Sequence, residues 1–203
     1  MDRFSFFFAF YGLMLGLGIA ELLTGFASMV RAHALKRLEA QTALTALFIF
    51  VLVVATWVDT FTMSQSITLN FYDLLAPVLL STFYYLAAAV VFPRDPRQYS
   101  HLRAYFAARR QFIIGMLFAA ELCDVWMNAP FFREALAQHP DYFWGWLLPF
   151  NVLFKLVFLS LLLTRGRRIT ITLLAVQIVL LLAPYWHSRD GAVQTFTMHL
   201  LGY

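Results

Sequence analysis

The stretch TALTALFIFVLVVATWV, residues 42–58, carries no charged residue and holds only three threonines among its apolar side chains. A helix that crosses the hydrocarbon core of a bilayer needs about 20 mainly apolar residues, with a lower limit near 17. Backbone groups that meet lipid must bond within their own segment, which favours a helix over an open strand. Residues 42–58 therefore predict a transmembrane α-helix.

Five further apolar runs accompany this one along the chain. The six predicted spans are 4–30, 42–58, 73–92, 112–127, 143–163 and 169–186, and the fourth is short but extends toward Tyr105. The first run is too long and too weakly cationic for a cleavable signal peptide, so we expect it to be retained. The predicted fold is all-α, a polytopic membrane bundle of six transmembrane helices in one domain, 1–203.

The composition agrees with a membrane protein. Of the 203 residues, 62% are hydrophobic and 13% are charged, and the mean hydropathy is +0.72. Soluble domains average about 45–50% apolar and about 25% charged residues, and a soluble protein of this size could not bury the excess. Cys123 is the only cysteine, which excludes an intramolecular disulfide and a cysteine-based metal site.

Basic residues are concentrated in alternate loops. Of the 15 Lys and Arg residues, 11 follow the first, third and fifth spans: Arg31, Lys36, Arg37, Arg94, Arg97, Arg103, Arg109, Arg110, Arg165, Arg167 and Arg168. Loops rich in Lys and Arg stay on the cytoplasmic side. The chain is therefore predicted to be N-out/C-out, with residues 187–203 as an outer tail. All five tryptophans map to the outer interface, where their rings favour the headgroup level.

Two loops are long enough to hold structure of their own. In 93–111, apolar residues alternate with Arg103, Arg109 and Arg110, which predicts a short interfacial helix that contacts anionic lipid headgroups. The outer loop 128–142 predicts another helix over 131–138, between Pro130 and Pro140. The net charge of +4 is thus explained by membrane topology, and no basic run is long enough for a nucleic-acid tail.

Five polar side chains inside or beside the spans are candidates for a polar path. They are Glu21, Glu121, Asp124, Asn151 and Lys155. Ionisable groups within a membrane are costly and mark functional sites by default. We expect Lys155 to pair with Glu121 or Asp124, which share a helix face. Such a set could bind a cation or an anionic solute, or relay protons. The alternative is a buried ion pair that only fixes helix register.

The two halves of the chain, 1–92 and 105–186, share a short pattern. Leu17, Ala20, Glu21 and Leu22 recur as Leu117, Ala120, Glu121 and Leu122, an offset of 100 residues. Because each half would contain three spans, the second would be inverted relative to the first. Inverted repeats are typical of transporters, with the binding site at the repeat interface. The pattern has two explanations: an inverted repeat, or coincidence between two segments rich in Leu and Ala.

The sequence offers no catalytic residues, metal ligands or cofactor. None of the five histidines lies within a predicted span, and H-E-x-x-H, G-x-S-x-G and Walker motifs are absent. The leading function is a small transporter or channel, which we expect to form a homo-oligomer. A transporter predicts that the charged residues face one shared cavity. A non-catalytic scaffold or sensor subunit predicts isolated ion pairs and a flat apolar face for a partner. An intramembrane lipid-modifying enzyme predicts a cleft open to lipid.

Three segments carry a resemblance to known proteins. They are GLGIAELLTG at 16–25, YLAAAVVFPRD at 85–95 and LRAYFAARRQF at 102–112. Together with the basic loops they resemble a group of small, uncharacterised bacterial multi-pass membrane proteins. The resemblance implies six helices in the bacterial inner membrane. It transfers no activity, and it directs attention to Glu21 and to Arg109 and Arg110.

Overall fold

The structure is a computed structural model that describes residues 3–63, 71–99, 102–164 and 166–187. These residues are almost entirely helical and form no strand. The helices are α1 (Arg3–Arg31), α2 (Ala40–Met63), α3 (Phe71–Val91), α4 (Leu102–Met127), α5 (Ala129–Gln138), α6 (Pro140–Tyr142), α7 (Leu148–Leu163) and α8 (Arg167–His187). Short 3-10 turns lie at Leu35–Arg37 and Pro96–Gln98, and a π-helical turn, Phe143–Leu147, joins α6 to α7.

Five segments are long and apolar enough to cross a membrane. They are Ser5–Arg31, Ala40–Thr60, Leu74–Val91, Pro140–Leu163 and Arg167–Tyr185. A sixth is obtained when α4 and α5 are taken together, and this pair is bent by 51°. The all-helical fold predicted from the sequence is therefore confirmed, and five or six of its helical segments are long and apolar enough to cross a membrane. The number of six spans stays a prediction.

The connection before α4 differs from the expectation. We predicted a short interfacial helix within 93–111 that leads into a fourth span extending toward Tyr105. In the structure the two form one helix, since α4 begins at Leu102 and continues unbroken to Met127. Leu102, Tyr105 and Phe106 are buried, so the apolar face of this segment packs on the bundle and extends the helix. The predicted outer helix over 131–138 is present as α5 and starts slightly earlier, with Pro130 in its first turn.

The six long helices pack in a closed ring. α1 contacts α2 and α3, α3 contacts α4, α4 contacts α7, α7 contacts α8, and α8 returns to α2. The Phe158 ring of α7 is fully buried and lies 5.5 Å from the Phe48 ring of α2, measured between centroids. Phe118 of α4 packs on the other side of Phe158, at 6.2 Å. Aromatic side chains thus fill the centre of the ring.

The predicted basic loops meet at one end of this bundle. The Arg37 Nη1 atom donates to the Tyr99 carbonyl at 3.1 Å, and the Gln41 amide donates to the Arg167 carbonyl at 3.3 Å. Arg167 also pairs with Glu39, with 3.6 Å between Nε and Oε2. These contacts bring segments from all three basic loops together. Which side of the membrane this end faces stays a prediction.

The inverted repeat also stays a prediction. α1 and α3 pack extensively, whereas the corresponding pair in the second half, α4 and α8, is not among the main helix contacts. The tail predicted at 187–203 lies outside the described residues apart from the end of α8.

Candidate functional site

Glu121 and Lys155 form an ion pair inside the bundle. The Lys155 Nζ atom lies 3.6 Å from Glu121 Oε2, and the exposed fractions of the two side chains are 20% and 7%. Lys155 Nζ also donates to Asn151 Oδ1 at 3.2 Å. The structure therefore brings together three of the five predicted polar residues, as one connected chain between α4 and α7.

The local backbone places Asn151 within reach of Lys155. The π-helical turn Phe143–Leu147 precedes Pro149, which occupies the first turn of α7 and has no N–H to donate. The Asn151 side chain donates to the Leu147 carbonyl at 3.0 Å, so its oxygen remains available to Lys155. π-helical turns are rare and occur frequently at functional sites.

Asp124 is the second carboxylate of this region. Its Oδ1 accepts a hydrogen bond of 3.1 Å from the side chain of Asn128, the residue that precedes α5. Asp124 interacts electrostatically with Lys155 and with Glu121. The α4–α5 bend therefore supplies a polar partner to an acidic side chain one turn beyond Glu121.

Hydroxyl groups from three neighbouring helices lie near the two carboxylates. The Tyr84 hydroxyl of α3 lies 3.0 Å from Thr56 Oγ1 of α2 and interacts electrostatically with Glu121. The Tyr185 hydroxyl of α8 donates to Asp59 Oδ1. Asp59 in turn acts electrostatically on Glu121. We term Glu121, Asp124, Asn151, Lys155, Tyr84, Thr56, Asp59 and Tyr185 the interior polar cluster.

Two buried hydroxyls beside this cluster are unsatisfied. Tyr11 of α1 is fully buried and lies beside Thr60. Its hydroxyl oxygen makes no hydrogen bond within the described residues. Ser81, one turn before Tyr84 on α3, is 1% exposed, and its oxygen also has no partner within the described part of the chain. Buried polar atoms without a partner are uncommon in folded proteins, so these two retain hydrogen-bonding capacity.

Sequence reasoning missed most of these hydroxyl groups. Tyr11 and Tyr84 lie among many other aromatic residues in apolar runs, and nothing in the local pattern separates them from packing residues. Asp59 is exposed near the end of α2, where a carboxylate near water is the ordinary expectation. Its contact with Tyr185 joins residues 126 positions apart, and such a contact is determined only by helix packing.

Glu21 is not brought to the interior polar cluster. It lies on α1, partly exposed, one turn from Gly18 and one turn from Gly25. Both glycines face α3: a Cβ on Gly18 would meet the Tyr85 backbone at 3.6 Å, and one on Gly25 would meet Phe92 at 3.0 Å. No ion pair or hydrogen bond links Glu21 to the four other predicted residues, all of which are described. Its part in a polar path stays a prediction.

The three arginines predicted to contact lipid headgroups have different surroundings. Arg103 is exposed. The Arg109 guanidinium stacks 4.2 Å from the centre of the Tyr105 ring. Arg110 is 8% exposed and donates to the Leu161 carbonyl near the end of α7. The structure therefore places Arg110 within the bundle, where its charge complements a helix C-terminus.

The described residues contain no group of three or more His, Cys, Asp and Glu side chains arranged to hold a metal ion. Comparison with protein-family models, with curated proteins and with solved structures gave no match. The resemblance to small bacterial membrane proteins thus stays a prediction. The interior polar cluster itself supplies carboxylates, one amine, one amide and several hydroxyls, a set suited to exchanging protons or holding a small cation.

Proposed function

We propose that the protein is a small membrane transporter or channel whose polar path passes through Glu121, Asp124, Asn151 and Lys155. One observation carries the proposal: two carboxylates and one amine lie together in the bundle interior, in contact with polar groups from neighbouring helices. Burying charge within a membrane is costly and is usually associated with function. A purely structural ion pair needs one carboxylate, not two.

The charge balance supports a proton or a small monovalent cation as the transported species. Glu121 and Asp124 carry two negative charges when ionised, and Lys155 carries one positive charge. A buried cluster with excess negative charge is stabilised by gaining a proton or a cation. Glu121 is 5% exposed and Tyr84 is 1% exposed, and such close burial favours a small species over a bulky solute.

The geometry supports a relay centred on Lys155. Its amine contacts both Glu121 and Asn151, and its long side chain can turn about several bonds. When Glu121 takes up a proton, its attraction for the amine falls and Lys155 shifts toward Asn151 and Asp124. Loss of the proton restores the Glu121 pair. Because a fifth of the Lys155 side chain is exposed, this residue links the buried carboxylates to the bundle surface.

The test is proton flux in liposomes that contain the purified protein and an internal pH-sensitive dye, driven by a potassium diffusion potential. We expect wild-type flux above that of empty liposomes, and a loss of at least about tenfold in Glu121→Gln and in Lys155→Met. Glu134→Gln is the matched control, because Glu134 is an exposed carboxylate on α5 that bonds Gln138. This control should keep wild-type flux.

Two results would contradict the proposal. One is wild-type flux that does not exceed empty liposomes with either protons or a monovalent cation as the measured species. The other is flux that Glu121→Gln, Asp124→Asn and Lys155→Met all leave unchanged.

A second candidate function is a non-catalytic scaffold or sensor subunit. α7 with its preceding turn and α8 bury few of their residues within the chain. In the most apolar 18-residue stretch of each, 22% and 17% are buried. Helices this open contact lipid or another protein chain. Their exposed face is the surface we propose for the homo-oligomer, and it would serve equally for a different membrane partner.

The cellular setting completes the proposal. The chain lies in the bacterial inner membrane as a six-span protein, with both termini outside and the basic end in the cytoplasm. The clustering of three basic loops at one end of the bundle supports this orientation, since such loops remain cytoplasmic. The relation of the two halves as inverted repeats is also part of this proposal.

A further inference from the structure

A large basic pocket lies at the end of the bundle where the three basic loops meet. Its volume is about 780 Å³, and it is bounded by the turn after α1, the start of α4 and the start of α8. Four basic side chains line it: Lys36, Arg37, Arg103 and Arg167. Glu39 is the one carboxylate in the lining. The pocket is therefore strongly positive and complements an anion.

Two of the four basic side chains are already engaged. Arg37 donates to the Tyr99 carbonyl, and Arg167 pairs with Glu39. These contacts hold both side chains at the rim. Lys36 and Arg103 are exposed, and neither makes a hydrogen bond or ion pair within the part of the chain that the structure describes. They remain available to a ligand.

An apolar groove adjoins this pocket between α1 and α2. Its volume is about 200 Å³, and hydrocarbon side chains line it throughout: Leu22, Leu23, Phe26, Leu38, Ala43, Ala46, Leu47, Phe50 and Phe92. Leu38 also lines the basic pocket. Leu38 thus lies between the two spaces, with the positive part at the helix ends and the apolar part along the helices.

We propose that the pocket and groove together form a binding site for one anionic phospholipid. The headgroup phosphate contacts Lys36 and Arg103, and one acyl chain lies in the groove past Leu38. The positive charge of the pocket and its position at the helix ends both support this occupant, because basic pockets at the cytoplasmic ends of membrane helices bind anionic headgroups. A soluble phosphate compound would use the basic pocket but would leave the groove without a role.

The site is independent of the interior polar cluster. Its residues lie on the later part of α1 and the turn after it, on the early part of α2, just after α3, and at the starts of α4 and α8. The polar cluster uses the opposite parts of α2, α4 and α8. The lipid site can therefore be tested whether or not the chain transports protons.

Native mass spectrometry of the full chain in detergent micelles tests the proposal, with phosphatidylglycerol or phosphatidylcholine of equal chain length added. We expect one tightly bound phosphatidylglycerol. The double variant Lys36→Gln, Arg103→Gln should weaken this binding by about 30-fold and leave phosphatidylcholine unaffected. Arg133→Gln, which removes an exposed charge from α5, is the matched control and should bind as wild type.

The groove is tested by Ala43→Trp, which fills it from an exposed position on α2. Val54→Trp, also exposed on α2 but outside the groove, controls for the added ring. We expect Ala43→Trp alone to weaken phosphatidylglycerol binding. Equal binding of the two lipids by wild type would overturn the proposal. So would displacement of the lipid by glycerol phosphate at similar concentration, which would assign the pocket to a soluble anion.

Discussion

The Glu121–Lys155 pair couples α4 to α7 through two side chains that differ in exposure. Glu121 is almost fully shielded, while Lys155 keeps contact with the surface of the bundle. A buried pair of this kind adds little net stability over apolar residues, but removing one partner leaves an uncompensated charge. The effects of single and double substitutions should therefore differ strongly.

Lys155→Met is expected to lower the free energy of unfolding by about 3 kcal/mol, at the low end for a buried pair because Lys155 is partly exposed. The double variant Glu121→Gln, Lys155→Met should recover part of this loss, since Glu121 then no longer carries a buried charge without its partner. Unfolding in mixed micelles by a denaturing detergent measures both. A double variant no more stable than Lys155→Met would show that the pair is not coupled as described.

Arg110 and Arg109 are adjacent in sequence but act in different places. Arg110 donates to a carbonyl of the last turn of α7, where backbone oxygens lack partners within the helix. Arg109 stacks on Tyr105, whose hydroxyl donates to the carbonyls of Val90 and Phe92 at the end of α3, at 3.0 and 3.1 Å. The first turns of α4 thus donate hydrogen bonds to backbone carbonyls at the C-terminal ends of α7 and α3.

We predict that Arg110→Leu lowers the free energy of unfolding by about 2 kcal/mol, because a hydrogen bond from a charged donor to a buried carbonyl is lost. Arg103→Gln, one to two turns earlier and exposed, should change it by less than about 0.5 kcal/mol. The same unfolding titration compares them. Equal losses in the two variants would argue against helix capping by Arg110.

At the scale of elements, α1 ends in a defined capping motif. His33 has a φ of 53°, in the left-handed region. Its N–H bonds to the Val30 carbonyl, and the Ala34 N–H bonds to the Met29 carbonyl, both at 2.9 Å. This is the pattern of a Schellman motif, in which glycine is the preferred residue at the left-handed position. The turn directs the chain toward the basic pocket.

His33→Gly should therefore raise the free energy of unfolding by about 0.5–1 kcal/mol, since glycine adopts this conformation without steric cost. His33→Val should lower it by about 1 kcal/mol or more, because a β-branched residue is strained there. Thermal unfolding in detergent would rank the three proteins. A glycine variant less stable than wild type would mean that the His33 side chain itself makes a stabilising contact.

The elements of the second half also explain why the polar residues of α7 are accessible. The π-helical turn and Pro149 interrupt the regular hydrogen-bond pattern just before Asn151. Asn151 then bonds the backbone with its nitrogen and Lys155 with its oxygen. Asn151 and Lys155 are four residues apart within α7, so helix geometry brings their side chains together. The irregular turn contributes the Leu147 carbonyl that holds the Asn151 amide.

At the scale of the whole molecule, the two ends of the bundle differ in chemistry. The basic loops lie at one end of the bundle. The helices carry exposed tryptophans near the opposite end, among them Trp57, Trp126, Trp144 and Trp146. Arginine and lysine near anionic headgroups and tryptophan at the opposite interface both favour one orientation in the membrane. This asymmetry follows from the order of basic loops and tryptophans along the chain, and the packing of the helices brings the basic loops into contact with one another.

Labelling of single cysteines tests the orientation in intact bacterial cells. In a Cys123→Ala background, we expect a membrane-impermeant maleimide to modify Arg133→Cys but not Lys36→Cys, since the proposed orientation puts the basic end in the cytoplasm. Both positions are exposed and should react alike after the cells are opened, which controls for intrinsic reactivity. Labelling of position 36 from outside would reverse the proposed topology.

Much of the fold was predictable because lipid imposes a simple rule on sequence. An apolar run of sufficient length in this chain becomes a helix, and the predicted boundaries of the first three spans lie within five residues of the helix ends. The start of α4 was less predictable. Its first turns carry Arg103, Arg109 and Arg110, and charged residues resemble a loop until their packing against neighbouring helices is known.

The sequence by itself determined the membrane class, the helical content and the separation of basic from aromatic ends, since these depend on composition and order along the chain. It also identified Glu121, Asn151 and Lys155, because intramembrane polar residues are rare. The tertiary structure alone decided that Glu21 lies apart from them and that Tyr84, Asp59 and Tyr185 lie close by. Both faces of a membrane helix are apolar, so periodicity does not reveal which residues point inward; only the packing of one helix against another does.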